Sequence, residues 1–153
     1  MRLNLYIAVR NLFLLPCSRL GNKFHWKEYY LPTTLQLNSS LEVLLAPVGF
    51  CNVRETIKLG LQEALVNAVR HGNQGDPNKA LRVRFIITPR WVVWQIQDEG
   101  IGLPIEARKF NLPSHVDANS GRGLFMIHQC FDDVRWSIKG NRLQVALKRK
   151  SMN

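Results

Sequence analysis

The sequence predicts an α+β fold, in which helices cover one face of a mixed, mostly antiparallel sheet in a two-layer sandwich. Two observations predict it. The segments follow one another in the order strand, two helices, hairpin, loop, helix, hairpin, which is typical of this architecture. The chain has 153 residues, 46% of them hydrophobic, enough for one compact domain with a real core.

The first predicted strand covers residues 26–37, where apolar and polar side chains alternate, and Pro32 predicts an edge position for it. We interpret residues 1–25 as an extension outside the core fold, as a mis-assigned start codon would add, and residues 26–153 as the domain. No apolar run approaches the ~20 residues that a membrane span needs.

Two helix starts are predicted from capping patterns. Ser39 is followed three residues later by Glu42, and Asn52 is followed three residues later by Glu55. Apolar residues recur at helical spacing after each start, and the second helix is predicted to run to about His71, before a segment rich in glycine and proline.

The second half of the chain predicts two hairpins separated by a helix. Residues 81–88 and 91–97 are rich in β-formers and are divided by a Pro-Arg pair. A long irregular segment, residues 98–120, leads to a helix over residues 121–131. Residues 134–139 and 143–148 flank Gly140-Asn141 and predict the closing hairpin.

The first chemical pattern lies on the second helix, where Glu63, Asn67 and His71 follow one another at steps of four residues. Side chains at that spacing share one helix face. A carboxylate and an amide oxygen one turn apart suit a hard cation, with Asn67 as ligand and Glu63 left to orient or deprotonate a hydroxyl. A solvated polar stripe is the alternative for this pattern taken alone.

The second pattern, Asp98-Glu-Gly100-Ile-Gly102, directly follows a hydrophobic strand. A carboxylate at a strand end can accept a hydrogen bond from an adenine amino group. Glycines there allow the backbone to approach a flat ring and to adopt positive φ. A simple turn is the alternative.

The third pattern, Gly121-Arg122-Gly123, opens a helix. Free N–H groups and the helix dipole at such a terminus favour an anion, and Arg122 adds charge for a phosphate. The sequence contains neither the P-loop pattern nor the Rossmann fingerprint.

Together and in this order, the three patterns resemble the N, G1 and G2 boxes of the gyrase, Hsp90 and histidine-kinase ATPases, the Bergerat fold, over residues 35–148. The form Glu-Ala-Leu-x-Asn-Ala-x-x-His-Gly is similar to that of the anti-sigma-factor serine/threonine kinases. The short segment between Gly102 and Gly121 agrees with their compact ATP lid.

The resemblance implies ATP and Mg²⁺ as cofactors, with Glu63 as general base, Asn67 as metal ligand and Asp98 as adenine anchor. The nucleotide-binding residues that it implies are Asn67, Arg70, His71, Asp98, Gly100, Gly102, Gly121, Arg122, Gly123 and Leu124. The acceptor would be a serine or threonine of an anti-sigma-factor antagonist of the STAS type, and a sigma factor would be a second partner. Related kinases often form dimers, so the resemblance allows a homodimer.

One departure from the family concerns its last strand, where a Gly-Thr pair commonly helps to hold the adenine. Here the segment reads Gly140-Asn-Arg-Leu143-Gln144, with Leu143 or Gln144 in place of the threonine. This difference predicts weaker or rearranged nucleotide binding. It favours a non-catalytic nucleotide-binding partner-switching module as an alternative function. The catalytic domain of a two-component histidine kinase is another, although no helical pair with an acceptor histidine precedes the N box.

The formal charge of +10 is not typical of that family. Basic proteins bind nucleic acids, anionic membranes or acidic proteins. Because the cations are dispersed and no known nucleic-acid-binding signature occurs, we expect an acidic protein partner and a nucleoside triphosphate. We expect neither direct nucleic-acid binding nor membrane binding, and a cytoplasmic location.

Overall fold

The computed structural model describes residues 24–48, 53–108 and 122–149. The strands in these ranges are Lys27–Pro32 (β1), Ala80–Ile87 (β2), Trp91–Gln97 (β3), Asp133–Trp136 (β4) and Arg142–Lys148 (β5). The α-helices are Asn38–Leu45 (α1), Arg54–Asn67 (α2) and Arg122–Cys130 (α3). Short 3₁₀ turns occupy Ala46–Val48 and Glu106–Arg108.

The five described strands form one sheet with the order β1-β2-β3-β5-β4, and every neighbouring pair is antiparallel. The predicted α+β fold and both predicted hairpins are confirmed. β1 lies at the edge, as Pro32 predicted, but it ends at Pro32 rather than at residue 37. The chain turns there, with Thr34 N–H bonded to Pro32 O, and Leu37 is buried before α1 begins.

One face of the sheet packs against the three helices. Buried strand residues such as Val83, Trp94 and Val145 form a single core with Leu44 and Leu61 from the helices. Trp94 is fully buried, and its indole N–H donates to Leu44 O at 2.9 Å, so the largest core side chain has its one polar atom satisfied. This contact ties α1 to the central strand.

The capping box predicted at Ser39 and Glu42 is wrong, whereas the one predicted at Asn52 and Glu55 involves a residue outside the described ranges and stays a prediction. α1 begins at Asn38 after Leu37, α2 begins at Arg54 after Val53, and neither start has a side-chain cap. Glu42 instead accepts from Arg54 Nη2 at 2.8 Å, while Arg54 Nη1 donates to Leu45 O at 3.0 Å. Arg54 therefore joins α1 to the start of α2. Asn52 lies outside the described residues.

α2 continues into a π-helical turn, Ala68–Gly72, so the prediction of a helix to about His71 holds. The wider turn is closed by Asn73 N–H, which donates to Ala68 O at 2.8 Å. Turns of this type occur often at functional sites. None of the helices in the described ranges is long and apolar enough to cross a membrane.

Candidate active site

A cavity of about 420 Å³ opens between α2, the start of α3 and the ends of β3, β4 and β5. This volume is typical of a site for a small organic ligand. The sequence-predicted residues that line it are Glu63, Asn67, Arg70, His71, Asp98, Gly102, Gly123 and Leu124. The structure thus brings all three predicted patterns to one place.

The α2 side of the cavity carries the polar stripe. Glu63 and Asn67 are partly buried and His71 is exposed, and all three line the cavity. Gly123 in the first turn of α3 faces the same two side chains. A Cβ there would lie 3.0 Å from Glu63 Oε2, 3.4 Å from Asn67 Nδ2 and 3.5 Å from Asn67 Oδ1. The carboxylate, the amide and the start of α3 therefore surround one small volume.

The start of α3 supplies backbone N–H groups to this region, because the first turn of a helix has no intrahelical acceptors for them. Gly123 and Leu124 line the cavity, whereas Arg122 is exposed and lies outside the lining. Gly121, the other predicted phosphate-binding glycine, lies outside the described residues. The partial positive charge of this helix end favours an anion beside Glu63 and Asn67.

Asp98 forms the opposite end of the cavity. Its backbone is held by Asn141, whose carbonyl accepts from Asp98 N–H at 3.0 Å and whose amide donates to Asp98 O at 3.1 Å. Its carboxylate Oδ1 accepts from Gly100 N–H at 2.8 Å. Burial raises the pKa of Asp98 above its usual value, and the bond from Gly100 offsets part of this effect. The other oxygen, Oδ2, lies beside Gly72.

The glycines of the second pattern have separate functions. Gly102 has φ +94°, a conformation that other residues rarely adopt, and lines the cavity beside Lys139 O. Gly100 has no positive φ and lies outside the lining, where it packs on Gly72 O and bonds Asp98. Gly100 therefore positions the Asp98 carboxylate without lining the cavity itself.

The cavity also has lining residues that were not among the nucleotide-binding residues implied by the resemblance. They are Ala64, Val66, Ala68, Gly72, Ile96, Leu103, Trp136, Gly140 and Leu143. Trp136 and Leu143 are paired across β4 and β5, and with Ile96 they form an apolar wall near Asp98. Such a wall suits a flat aromatic ring. The spacing of these residues in the sequence carries no signal for a cavity.

Leu143 and Gln144, the two residues that the sequence offers in place of the family's threonine, lie on opposite faces of β5. Leu143 is 4% exposed and lines the cavity, whereas Gln144 lies on the other face of the sheet and accepts from Gln95 Nε2 at 2.7 Å. At Leu143 the wall therefore carries an isobutyl group, which offers no hydrogen bond.

Arg108 links the loop that follows β3 to the loop between β4 and β5. Its Nε donates to Leu103 O at 2.7 Å, and its two Nη atoms donate to Ser137 O and Ile138 O, each at 3.0 Å. Leu103 N–H also donates to Gly140 O at 3.0 Å. An arginine in an irregular segment gives no sequence signal for such a role.

A metal centre made from protein side chains alone is not formed by the described residues, because they contain no group of three or more His, Cys, Asp or Glu suited to one. Asn67 Oδ1 and the Glu63 carboxylate nevertheless lie close to the same point. Mg²⁺ commonly takes one or two protein oxygens and completes its shell with phosphates and waters. The donor set therefore fits Mg²⁺ arriving with a polyphosphate.

Comparison with known proteins agrees with this geometry. A family model described as a histidine kinase-like ATPase domain matches residues 37–147. The chain is 28% identical over 104 residues to serine-protein kinase RsbW of Listeria monocytogenes, covering 63% of this chain and 66% of that protein. It is 34% identical over 82 residues to the anti-sigma F factor of Geobacillus stearothermophilus, covering 51% and 56%.

A further relative, serine-protein kinase RsbW of Bacillus subtilis, is 31% identical over 88 residues, 53% of this chain and 55% of that protein. The alignments with these three relatives thus span between 55% and 66% of their own lengths.

Proposed function

Because this chain belongs to the histidine kinase-like ATPase domain family, we propose that it binds Mg-ATP and transfers the γ-phosphate to a serine or threonine of an anti-sigma-factor antagonist. The observation that carries the proposal is the meeting of Glu63, Asn67, Asp98 and Gly123 around one cavity. At one end of the cavity, the Asp98 carboxylate suits the nucleobase of ATP. At the other end, the start of α3 together with the Glu63 carboxylate and the Asn67 amide suits the triphosphate.

The base would lie between Asp98 and the apolar wall of Ile96, Trp136 and Leu143. Asp98 Oδ2 would accept a hydrogen bond from the exocyclic amine of adenine, since Oδ1 already accepts from Gly100 N–H. Gly102, with its bare backbone, would let the ring approach the loop. This arrangement favours a base with an amino group at that edge, because a carbonyl would face the carboxylate.

The triphosphate would extend toward the start of α3. Backbone N–H groups of Gly123 and Leu124 would bind phosphate oxygens, and the exposed Arg70 and His71 at the cavity border would contribute positive charge or donors. Asn67 Oδ1 would hold Mg²⁺, which when bound neutralises phosphate charge. Gly121 and Arg122 would belong to the same phosphate-binding segment.

Glu63 would act as general base. In the proposed step the hydroxyl oxygen of the acceptor bonds to the γ-phosphorus, and the bond from that phosphorus to the β–γ bridging oxygen breaks. ADP leaves, and the hydroxyl proton passes to the Glu63 carboxylate. The rest of the catalysis is positioning and stabilisation of charge, as phosphoryl transfer requires.

The partners follow from the names of the relatives, serine-protein kinase and anti-sigma F factor. An antagonist protein would be the phosphate acceptor and a sigma factor the sequestered partner, both in the cytoplasm. The net charge of +10 favours an acidic surface on one of them. A homodimer is the oligomeric state that we propose by analogy with related kinases.

One observation favours a second candidate, a nucleotide-binding switch without kinase activity. Leu143 places a buried apolar side chain in the wall of the proposed adenine pocket, which weakens the case for tight ATP binding. The retained Glu63 favours the kinase. The two candidates differ in whether phosphate is transferred.

The test is calorimetric titration with Mg-ATP, followed by a phosphotransfer assay with candidate antagonists and mass spectrometry of the acceptor. Glu63→Gln should leave ATP binding little changed and lower the transfer rate on the order of 10²- to 10⁴-fold. Glu55→Gln, which removes an exposed carboxylate from the first turn of the same helix, is the matched control. ATP binding without phosphate transfer to any acceptor would favour the nucleotide-binding switch. No binding at millimolar ATP would contradict both the kinase and the switch.

A further inference from the structure

Asn73 follows the π-helical turn of α2 and is completely buried, yet it lies outside the lining of the cavity. Buried amides require partners for both ends of the side chain, since an unpaired polar group in the interior is costly. Three partners surround this one. They come from three separate parts of the chain.

The amide of Asn73 is used in both directions. Its Oδ1 accepts from Glu99 N–H at 2.8 Å, and its Nδ2 donates to Thr33 Oγ1 at 2.8 Å and to Ala80 O at 3.2 Å. Because a backbone N–H only donates and a backbone carbonyl only accepts, the amide can adopt one orientation alone. A leucine of similar size would satisfy none of these groups.

The bond to Glu99 bears directly on the base end of the cavity. Glu99 N–H belongs to the peptide that joins Asp98 to Glu99, so Asn73 fixes that peptide from the α2 side. Asn141 holds the same residue, Asp98, from the β5 side through two bonds. The Glu99 carboxylate accepts from Ala80 N–H at 2.8 Å and adds a further restraint to the loop.

Thr33 extends the restraint toward β1. Its hydroxyl accepts from Asn73 Nδ2 and donates to Lys79 O at 2.6 Å. The chain Lys79–Thr33–Asn73–Glu99 therefore links the segment before β2 to the loop that carries Asp98. Removing the hydroxyl takes away one partner of the amide and leaves the bond to Ala80 O in place.

We propose that Asn73 is a positioning residue that sets the base selectivity of the cavity by fixing the Asp98 carboxylate. It does not touch the nucleotide; it acts through the Asp98–Glu99 peptide. Its removal lets the carboxylate shift, so the pocket no longer distinguishes a purine with an exocyclic amine from one with a carbonyl. The inference rests on the proposed ATP site.

The experiment compares calorimetric dissociation constants for ATP and for inosine triphosphate, which carries a carbonyl in place of the amine. The wild type should prefer ATP on the order of tenfold or more, the loss expected for one hydrogen bond to a charged acceptor. Asn73→Ala should bring the ratio close to one, mainly by weakening ATP. Thr33→Val, which keeps the shape of the threonine, should lower the ratio by a smaller factor.

The matched control is Asn78→Ala, which alters an exposed asparagine in the loop between Asn73 and β2. It should keep the wild-type ratio of the two dissociation constants. Thermal unfolding of each variant measures the loss of stability, and the ratio of the two dissociation constants measures selectivity. A merely structural role would weaken the binding of both nucleotides equally and leave that ratio unchanged. If Asn73→Ala does not fold, Thr33→Val decides. Unchanged ratios in the folded variants would overturn the inference and leave the ATP site standing, whereas a wild type that binds neither nucleotide would overturn both.

Discussion

Gly72 at the end of α2 lies against the carboxylate of Asp98, so that a Cβ at residue 72 would fall 2.6 Å from Asp98 Oδ2. The absence of a side chain at one position therefore determines where the carboxylate of another can lie. Gly100 packs against the same pair from the loop. The π-helical turn that follows α2 and the loop that follows β3 therefore pack together as one unit.

Gly72→Ala should displace Asp98 and weaken ATP binding about tenfold or more, since the base anchor would lose its geometry. Gly60→Ala is the matched control. A Cβ there would lie 2.6 Å from atoms of Cys130 and Phe131 in the core, away from Asp98. The control should lower the free energy of unfolding by about 1–3 kcal/mol through overpacking while its folded form binds ATP as the wild type does. Equal ATP affinities for the two variants would contradict the packing argument.

Much of the site was predictable because its chemistry is local in sequence. Glu63, Asn67 and His71 share a face through the helical period, and Asp98 follows a strand that its composition predicts. These patterns required no knowledge of tertiary contacts. The glycine that opens α3 is predictable for the same reason.

The remaining parts of the site depend on contacts between distant residues. Arg108 binds carbonyls 29 and 30 residues further on, and Asn73 bonds partners 40 residues before and 26 residues after it. The sequence left open whether Leu143 or Gln144 takes the place of the family's threonine, and only the sheet register places Leu143 beside Trp136. The capping box at Ser39 and Glu42 failed for a related reason, because Glu42 accepts from Arg54 across the α1–α2 connection.

ATP affinity should decrease on acidification at a higher pH than an ordinary aspartate would cause, because the pKa of Asp98 is raised. Its folded-state pKa is raised by burial, and in the proposed site the carboxylate is the form that would accept a hydrogen bond from adenine. ATP affinity should therefore fall as the pH decreases through the raised pKa, before an ordinary aspartate would protonate. Titration of wild type and Asp98→Asn with the same nucleotide removes the nucleotide's own protonation from the comparison, and parallel pH profiles would contradict this assignment.

The same shift has a consequence for the stability of the free protein. A raised pKa means that the folded state binds the proton more tightly than the unfolded state, so stability decreases as the pH rises through the interval between the two pKa values. Above that interval the charged Asp98 is a cost to folding. Asp98→Asn should accordingly raise the melting temperature of the nucleotide-free protein near neutral pH while it weakens ATP binding. A lower melting temperature would show that the carboxylate stabilises the loop instead.

Leu143→Thr should strengthen ATP binding about three- to tenfold, the range for one added hydrogen bond of about 0.5–1.5 kcal/mol. The substitution places a hydroxyl in the wall of the cavity, where Leu143 is buried. It should also destabilise the protein by about 2 kcal/mol or more, because a large core side chain is lost. Gln144→Thr, on the opposite face of the same strand, should not change ATP affinity. Unchanged affinity for Leu143→Thr would show that the apolar wall does not limit binding.

Asn67 should account for the part of ATP binding that depends on Mg²⁺. Its amide lies beside Glu63 and the start of α3 and would be the neutral ligand, with the other ligands coming from phosphates and waters. Asn67→Ala should therefore weaken binding in the presence of Mg²⁺ and leave binding in EDTA nearly unchanged, whereas Glu63→Gln should preserve the Mg²⁺-dependent gain. Calorimetry with and without Mg²⁺ makes this comparison directly. If Asn67→Ala keeps the full gain, the metal is held elsewhere, and if Glu63→Gln loses it, the carboxylate rather than the amide is the ligand.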